Sequence, residues 1–80
     1  MMTTIEALQH EPYFEEWCQD VHRLYSYDEK VMAMTRTIEG NCKTLEDALV
    51  MLVSYKAYPY FEPEANFLFA DIIDFLMLDI

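Results

Sequence analysis

The sequence predicts an all-α fold: a compact single-domain bundle of four helices behind a short N-terminal helix, spanning residues 1–80. Three observations carry this. Apolar residues recur at three- and four-residue spacing wherever they form a pattern, and no stretch alternates as a half-buried strand does. Helix-capping signatures separate the periodic segments. The chain has one Gly and three Pro and no repeat, low-complexity tract or linker rich in Gly, Ser or Pro, so it reads as one unit. A chain of this length forms one domain and buries only about 60% of the surface it exposes when unfolded.

The elements follow in order. Thr3 and Glu6 read as a capping box for an opening helix of about two turns. Pro12 suits the first position of the next helix, where its missing N–H has no partner to lose. In that helix Phe14, Trp17, Cys18, Val21, Leu24 and Tyr25 make one apolar face. Ser26 and Glu29 read as a second capping box, followed by a helix lined by Tyr27, Val31, Met34 and Ile38. Gly40 is expected just past its end, in the left-handed conformation that other residues resist. Thr44 caps the next helix, with Glu46 and Asp47 in its first turn and Lys56 in its last, the charge order that suits the helix dipole. Residues 48–53, Ala-Leu-Val-Met-Leu-Val, are apolar all round and predict the central helix.

Tyr58-Pro59-Tyr60-Phe61-Glu62-Pro63 cannot be helical throughout, because each proline drives its predecessor towards an extended backbone. Pro63 then opens the last helix. Of residues 63–80, twelve are apolar, and Glu64, Asp71 and Asp74 form a narrow polar stripe. A domain this small has little room for two fully buried helices. The last helix is therefore expected either in the core beside the central one or partly against another chain.

Charge is distributed unevenly. The net charge is −10. Residues 1–20 contribute Glu6, Glu11, Glu15, Glu16 and Asp20, residues 57–80 contribute Glu62, Glu64, Asp71, Asp74 and Asp79, and neither segment has a Lys or Arg. Residues 21–56 hold all five bases against five acids. Glu11/Glu15 and Glu16/Asp20 are like-charge pairs at i,i+4, each costing a few tenths of a kcal/mol in helix stability. Such a charge excludes direct nucleic-acid binding, since phosphates would meet a negative surface. It suits solubility, and equally a surface that steers towards a basic groove on a partner. A calcium site lacks its loop pattern of alternating Asp/Asn with glycine.

Other classes fall away. The apolar C-terminal stretches are interrupted by Asp71, Asp74 and Asp79, so no membrane span of about 20 residues exists. Residues 1–5 have neither the basic start nor the apolar run of a signal peptide. Two cysteines are too few for a disulfide scaffold. These readings predict a soluble domain with reduced thiols in the cytoplasm. Cys18, His22, His10 and Cys42 could supply four zinc ligands, but the paired spacings of zinc motifs are missing and Cys18 falls on an apolar face. Cys18 with His22 as a nucleophilic pair has no accompanying oxyanion signal. One glycine excludes a phosphate-binding loop. Acyl carrier proteins share the size and acidity, but neither Ser54 nor Ser26 stands in their Asp-Ser-Leu context. No enzyme, cofactor or metal is expected.

In size, charge and helicity the chain resembles the small acidic antagonists of phages and mobile elements, including anti-restriction and anti-CRISPR proteins. That resemblance implies a DNA-mimicking inhibitor, acting in the host cytoplasm, that blocks the basic, nucleic-acid-binding site of a partner protein. The residues expected to meet the partner are Glu11, Glu15, Glu16, Asp20, Glu62, Glu64, Asp71, Asp74 and Asp79, with the aromatic turn Tyr58, Tyr60 and Phe61, which could equally be a lid on the bundle. The alternative is a homo-oligomeric structural or adaptor subunit, at its simplest a homodimer, joined through the apolar last helix.

Overall fold

The structure, a computed structural model, describes residues 4–78, with side chains for 5–77. Five helices account for it: α1 (Thr4–Gln9), α2 (Glu11–Leu24), α3 (Glu29–Asn41), α4 (Leu45–Lys56) and α5 (Glu62–Leu78), with no strand among the described residues. The all-α bundle expected from the sequence is therefore the fold. No helix among the described residues is long and apolar enough to cross a membrane. The capping role of Thr3 and the charge of Asp79 lie outside the described residues.

The core forms where helical stripes converge. α2 buries Phe14, Trp17, Cys18 and Val21, and α3 buries Val31, Met32, Met34, Thr35 and Ile38. The Thr35 hydroxyl donates to the Val31 carbonyl at 2.8 Å, so it enters the core without an unsatisfied polar group. α4 supplies Leu45, Ala48 and Leu52, and α5 supplies Ala65, Leu68, Ile72 and Leu76. α4 and α5 make the most extensive helix pair in the molecule.

Helix ends depart from expectation in instructive places. Proline occupies the first turn of α2, which begins at Glu11, and of α5, which begins at Glu62. One orphan N–H is lost there at no cost. Thr44 does cap α4: its Oγ1 accepts from Asp47 N at 3.2 Å, while the Asp47 carboxylate accepts from Lys43 N at 3.3 Å. Ser26 does not cap α3. Asp28 does, with one carboxylate oxygen accepting from Lys30 N and Val31 N at 3.0 and 3.1 Å. A carboxylate two residues nearer the helix satisfies two orphan donors and interacts favourably with the dipole. The helix starts later as a result, and Tyr27 is 79% exposed instead of lining it.

Gly40 also differs. It lies inside α3, no residue among those described has positive φ, and a Cβ built there meets nothing within 4 Å. Cys42, in extended backbone, ends the helix by donating its N–H to Ile38 O. Leu24, at the last turn of α2, is half exposed, and Tyr25 is half-buried. α4 is not wrapped on all sides: Val50 and Val53 are 65% and 57% exposed. The core placement expected for α5 holds for one side of it. One stripe is core, while Phe67, Ile73 and Met77 remain exposed.

Candidate protein-interaction surfaces

Helical geometry divides the acids of α2. At 100° per residue, Glu11 and Glu15 fall on one flank of its buried stripe, Glu16 and Asp20 on the other. Glu11, Glu15 and Glu16 are exposed, and no ion pair involves them among the described residues. Asp20 accepts from Arg23 Nη2 at 3.0 Å.

On the first flank a cavity of about 420 Å³ is bordered by Glu11, Glu15, Gln19, Glu39 and Lys43, above Phe14, Cys18 and Cys42. Glu39 comes from α3 and its Oε1 accepts a hydrogen bond from His22 Nε2. Burial, reinforced by the nearby Glu39, Cys42 and Glu15, pushes the Cys18 thiol up to about 12. Burial and Asp47 raise Cys42 as well. Both thiols stay protonated near neutrality, and His22 pairs with Glu39, so a Cys18–His22 nucleophile finds no support here. Among the described residues no three His, Cys, Asp or Glu converge to hold a metal ion. His10 instead packs edge-on against Tyr13.

On the second flank a hollow of about 140 Å³ gathers Asp20, Trp17 and Leu24 of α2 with Asp71, Asp74 and Phe75 of α5. One acid of the N-terminal segment, Asp20, here shares a hollow with two of the C-terminal segment. Asp71, however, is committed inward. Its Oδ2 accepts from the indole Nε1 of fully buried Trp17 at 2.9 Å, and its Oδ1 accepts from the Tyr25 hydroxyl at 3.4 Å. Burial, together with the Asp71 charge and hydrogen bond, raises the Tyr25 phenol above its ordinary value. Asp74 is exposed, with no ion pair among the described residues.

Glu62 is exposed at the start of α5, whereas Glu64 is mostly covered and bound by Lys30 Nζ at 3.0 Å. The same ammonium donates to Tyr60 O at 2.9 Å and stands 4.0 Å from the Tyr60 ring centre. Lys30 thus ties α3 to the aromatic turn and neutralises one acid of the C-terminal segment. The turn itself divides. Phe61 is half-buried between Tyr55 and Tyr60, each 4.9 Å away centre to centre, while Tyr58 and Tyr60 are exposed. Phe61 packs against the core as a lid would, while Tyr58 and Tyr60 stay at the surface.

A further surface runs along the outer seam of α4 and α5. Lys56 Nζ sits 3.8 Å from the Phe69 ring centre, which shows which helix edges adjoin. Val53 lies three residues before Lys56, and Ile73 and Met77 lie four and eight beyond Phe69, so helical periodicity places all of them on this seam. Sequence charge-counting missed Glu39 and Lys30, because each acts across helices from a segment that is neutral in sum. The seam left only an ambiguous signal, a helix apolar on every side.

No family model, no curated protein and no solved structure matches the chain.

Proposed function

We propose that this chain is a non-enzymatic protein-interaction module, an inhibitor that lays the acidic face of α2 on a basic surface of a nucleic-acid-handling partner. The observation that carries the reading is the exposure of Glu11 and Glu15 on one flank of α2 and Glu16 on the other, without an ion pair among the described residues. Glu39 extends this acidic face on one flank and Asp74 on the other. Carboxylates spaced along a rigid helix offer lysines and arginines what a phosphate row offers, on a backbone that is fixed before binding. Blocking is then steric as well as electrostatic, in the manner of the phage and mobile-element anti-restriction and anti-CRISPR antagonists that the chain resembles in size and charge.

The test is displacement. Purified protein is titrated into complexes of labelled duplex DNA with a panel of restriction nucleases and RNA-guided nucleases, and release of the label is followed. Release from at least one of them is expected, weakening as salt rises. The double reversal Glu15→Lys with Glu16→Lys should weaken it by about 2 kcal/mol or more, with an unchanged circular dichroism spectrum. Release that survives both reversals would remove the acidic face from the mechanism.

A further inference from the structure

The first flank of α2 carries more than exposed acids. The cavity of about 420 Å³ beside it has an apolar floor, made by buried Phe14 and Cys18 of α2 and by Cys42 at the end of α3. Its volume falls among those of sites that enclose a ligand, about 300–1,000 Å³. Glu11 and Glu15 stand one helical turn apart on the α2 rim, exposed and without an ion pair among the described residues. Glu39 borders the cavity from α3, with one carboxylate oxygen on His22. Two walls thus present carboxylates above an apolar floor, which a flat acidic surface does not do. Their field reaches the floor: burial first, then the charges of Glu39, Cys42 and Glu15, hold the Cys18 thiol up at about 12.

Such a cavity suits a cation on an apolar stem. Arginine fits it better than lysine, because its planar fork of N–H donors can be shared between carboxylates on separate helices and its weaker hydration lowers the cost of entry. The methylene stem has an apolar floor to lie on. Lys43, the base at the rim, repels the incoming charge and directs it towards the α2 wall.

We propose that this cavity is a socket for one arginine side chain of the basic partner, its guanidinium between Glu11, Glu15 and Glu39 and its stem on Phe14. The socket rests on the inhibitor reading for its occupant, and it gives the α2 face a shape requirement in addition to its charge.

The experiment titrates N-acetyl-arginine N-methylamide into the full isotope-labelled chain under reducing conditions, with amide shifts followed by NMR. The citrulline analogue, a neutral isostere, and the lysine analogue are the comparisons. Saturable shifts at Gln19, Cys42 and Lys43 are expected at millimolar arginine probe, with both comparison compounds binding at least about fivefold more weakly. Glu15→Gln should weaken the arginine probe about three- to fivefold. Glu29→Gln, the same charge change at an exposed position at the other end of α3, should not. Gln19→Trp at the exposed rim covers the mouth without altering charge. It should abolish the shift at Cys42 and weaken displacement of DNA from the partner at least about tenfold, with an unchanged circular dichroism spectrum. Equal binding of the arginine and citrulline probes, shifts spread over the whole acidic surface, or full displacement by Gln19→Trp would overturn the socket and leave the inhibitor reading in place. A probe seated in the cavity of a protein that displaces no DNA would do the reverse: the guanidinium site stands and the inhibitor reading falls.

Discussion

α2 and the α4–α5 pair solve the same packing problem in opposite ways. In α2 the apolar residues are confined to one stripe, four of them are buried, and the charges face water. In α4 and α5 apolar residues occur on all sides, yet only one stripe of each is buried, through Leu45, Ala48 and Leu52 on one and Ala65, Leu68, Ile72 and Leu76 on the other. The difference shows that burial follows what a helix packs against, and that composition alone overstates it. An 80-residue bundle cannot surround two helices, because its surface is large relative to its volume. Where the apolar pattern exceeds the available neighbours, the excess faces outward.

The largest expected effect tests this contrast directly. Trp17→Ala in α2 and Leu52→Ala in α4 should each destabilise the protein by about 3 to 5 kcal/mol in urea unfolding, since both side chains are fully buried and their loss leaves cavities. Val53→Ser, one residue from Leu52 but exposed, should change stability by less than about 0.5 kcal/mol. Equal costs at positions 52 and 53 would mean that α4 is wrapped on both sides and that the seam is not a surface.

Next in size is the link between the two regions. Asp71→Ala leaves the Trp17 indole N–H buried without its acceptor and should cost about 1 to 3 kcal/mol. Asp74→Ala, three residues on and exposed, should stay within about 0.5 kcal/mol of the parent. If the two substitutions prove equal, Asp71 is a surface acid after all and belongs with the partner-facing set.

α3, which lies between the regions in the chain, offers a smaller test. Gly40 is helical and a Cβ meets open space there. Gly40→Ala should therefore raise stability by about 0.4 to 1 kcal/mol by restricting the unfolded chain. A loss on thermal melting would show that the glycine's freedom is in use at that helix end.

The pH dependence is the most gradual effect and belongs mainly to α2. The unfolded Cys18 thiol releases its proton near the ordinary value of 9.0, whereas the folded one holds it to about 12. The folded state binds that proton more tightly, so stability is complete below pH 9 and declines as pH rises through this window. The Tyr25 phenol, raised by burial and Asp71, adds to the decline above pH 10. Melting temperatures should fall between pH 9 and 12, and Cys18→Ala should flatten that fall. An unchanged slope in the variant would assign the alkaline transition to other groups.

Local chemistry could be read directly from the residues. Four apolar positions at spacings 14, 17, 18 and 21 identify the face of α2, and Thr44 with Asp47 three residues later marks the start of α4, because both signals act within one or two turns of chain. The helical class, the order of the elements and the acidity of the two ends follow from such short-range patterns. Choices between competing short-range signals did not. Ser26 and Asp28 both suit a cap, and the outcome turns on which carboxyl or hydroxyl reaches two N–H groups at once. Gly40 suits a helix end, but the turn at Cys42 lies farther along. Long-range partners left no trace in the sequence at all. Trp17 and Asp71 stand 54 positions apart, and Lys30 finds Glu64 and the Tyr60 carbonyl. Which acids turn inward, which apolar residues of α5 meet water, and where Glu39 joins Glu11 and Glu15 are consequences of how five helices share too small a core. No residue carries that information alone, because it depends on the neighbours that packing brings to it.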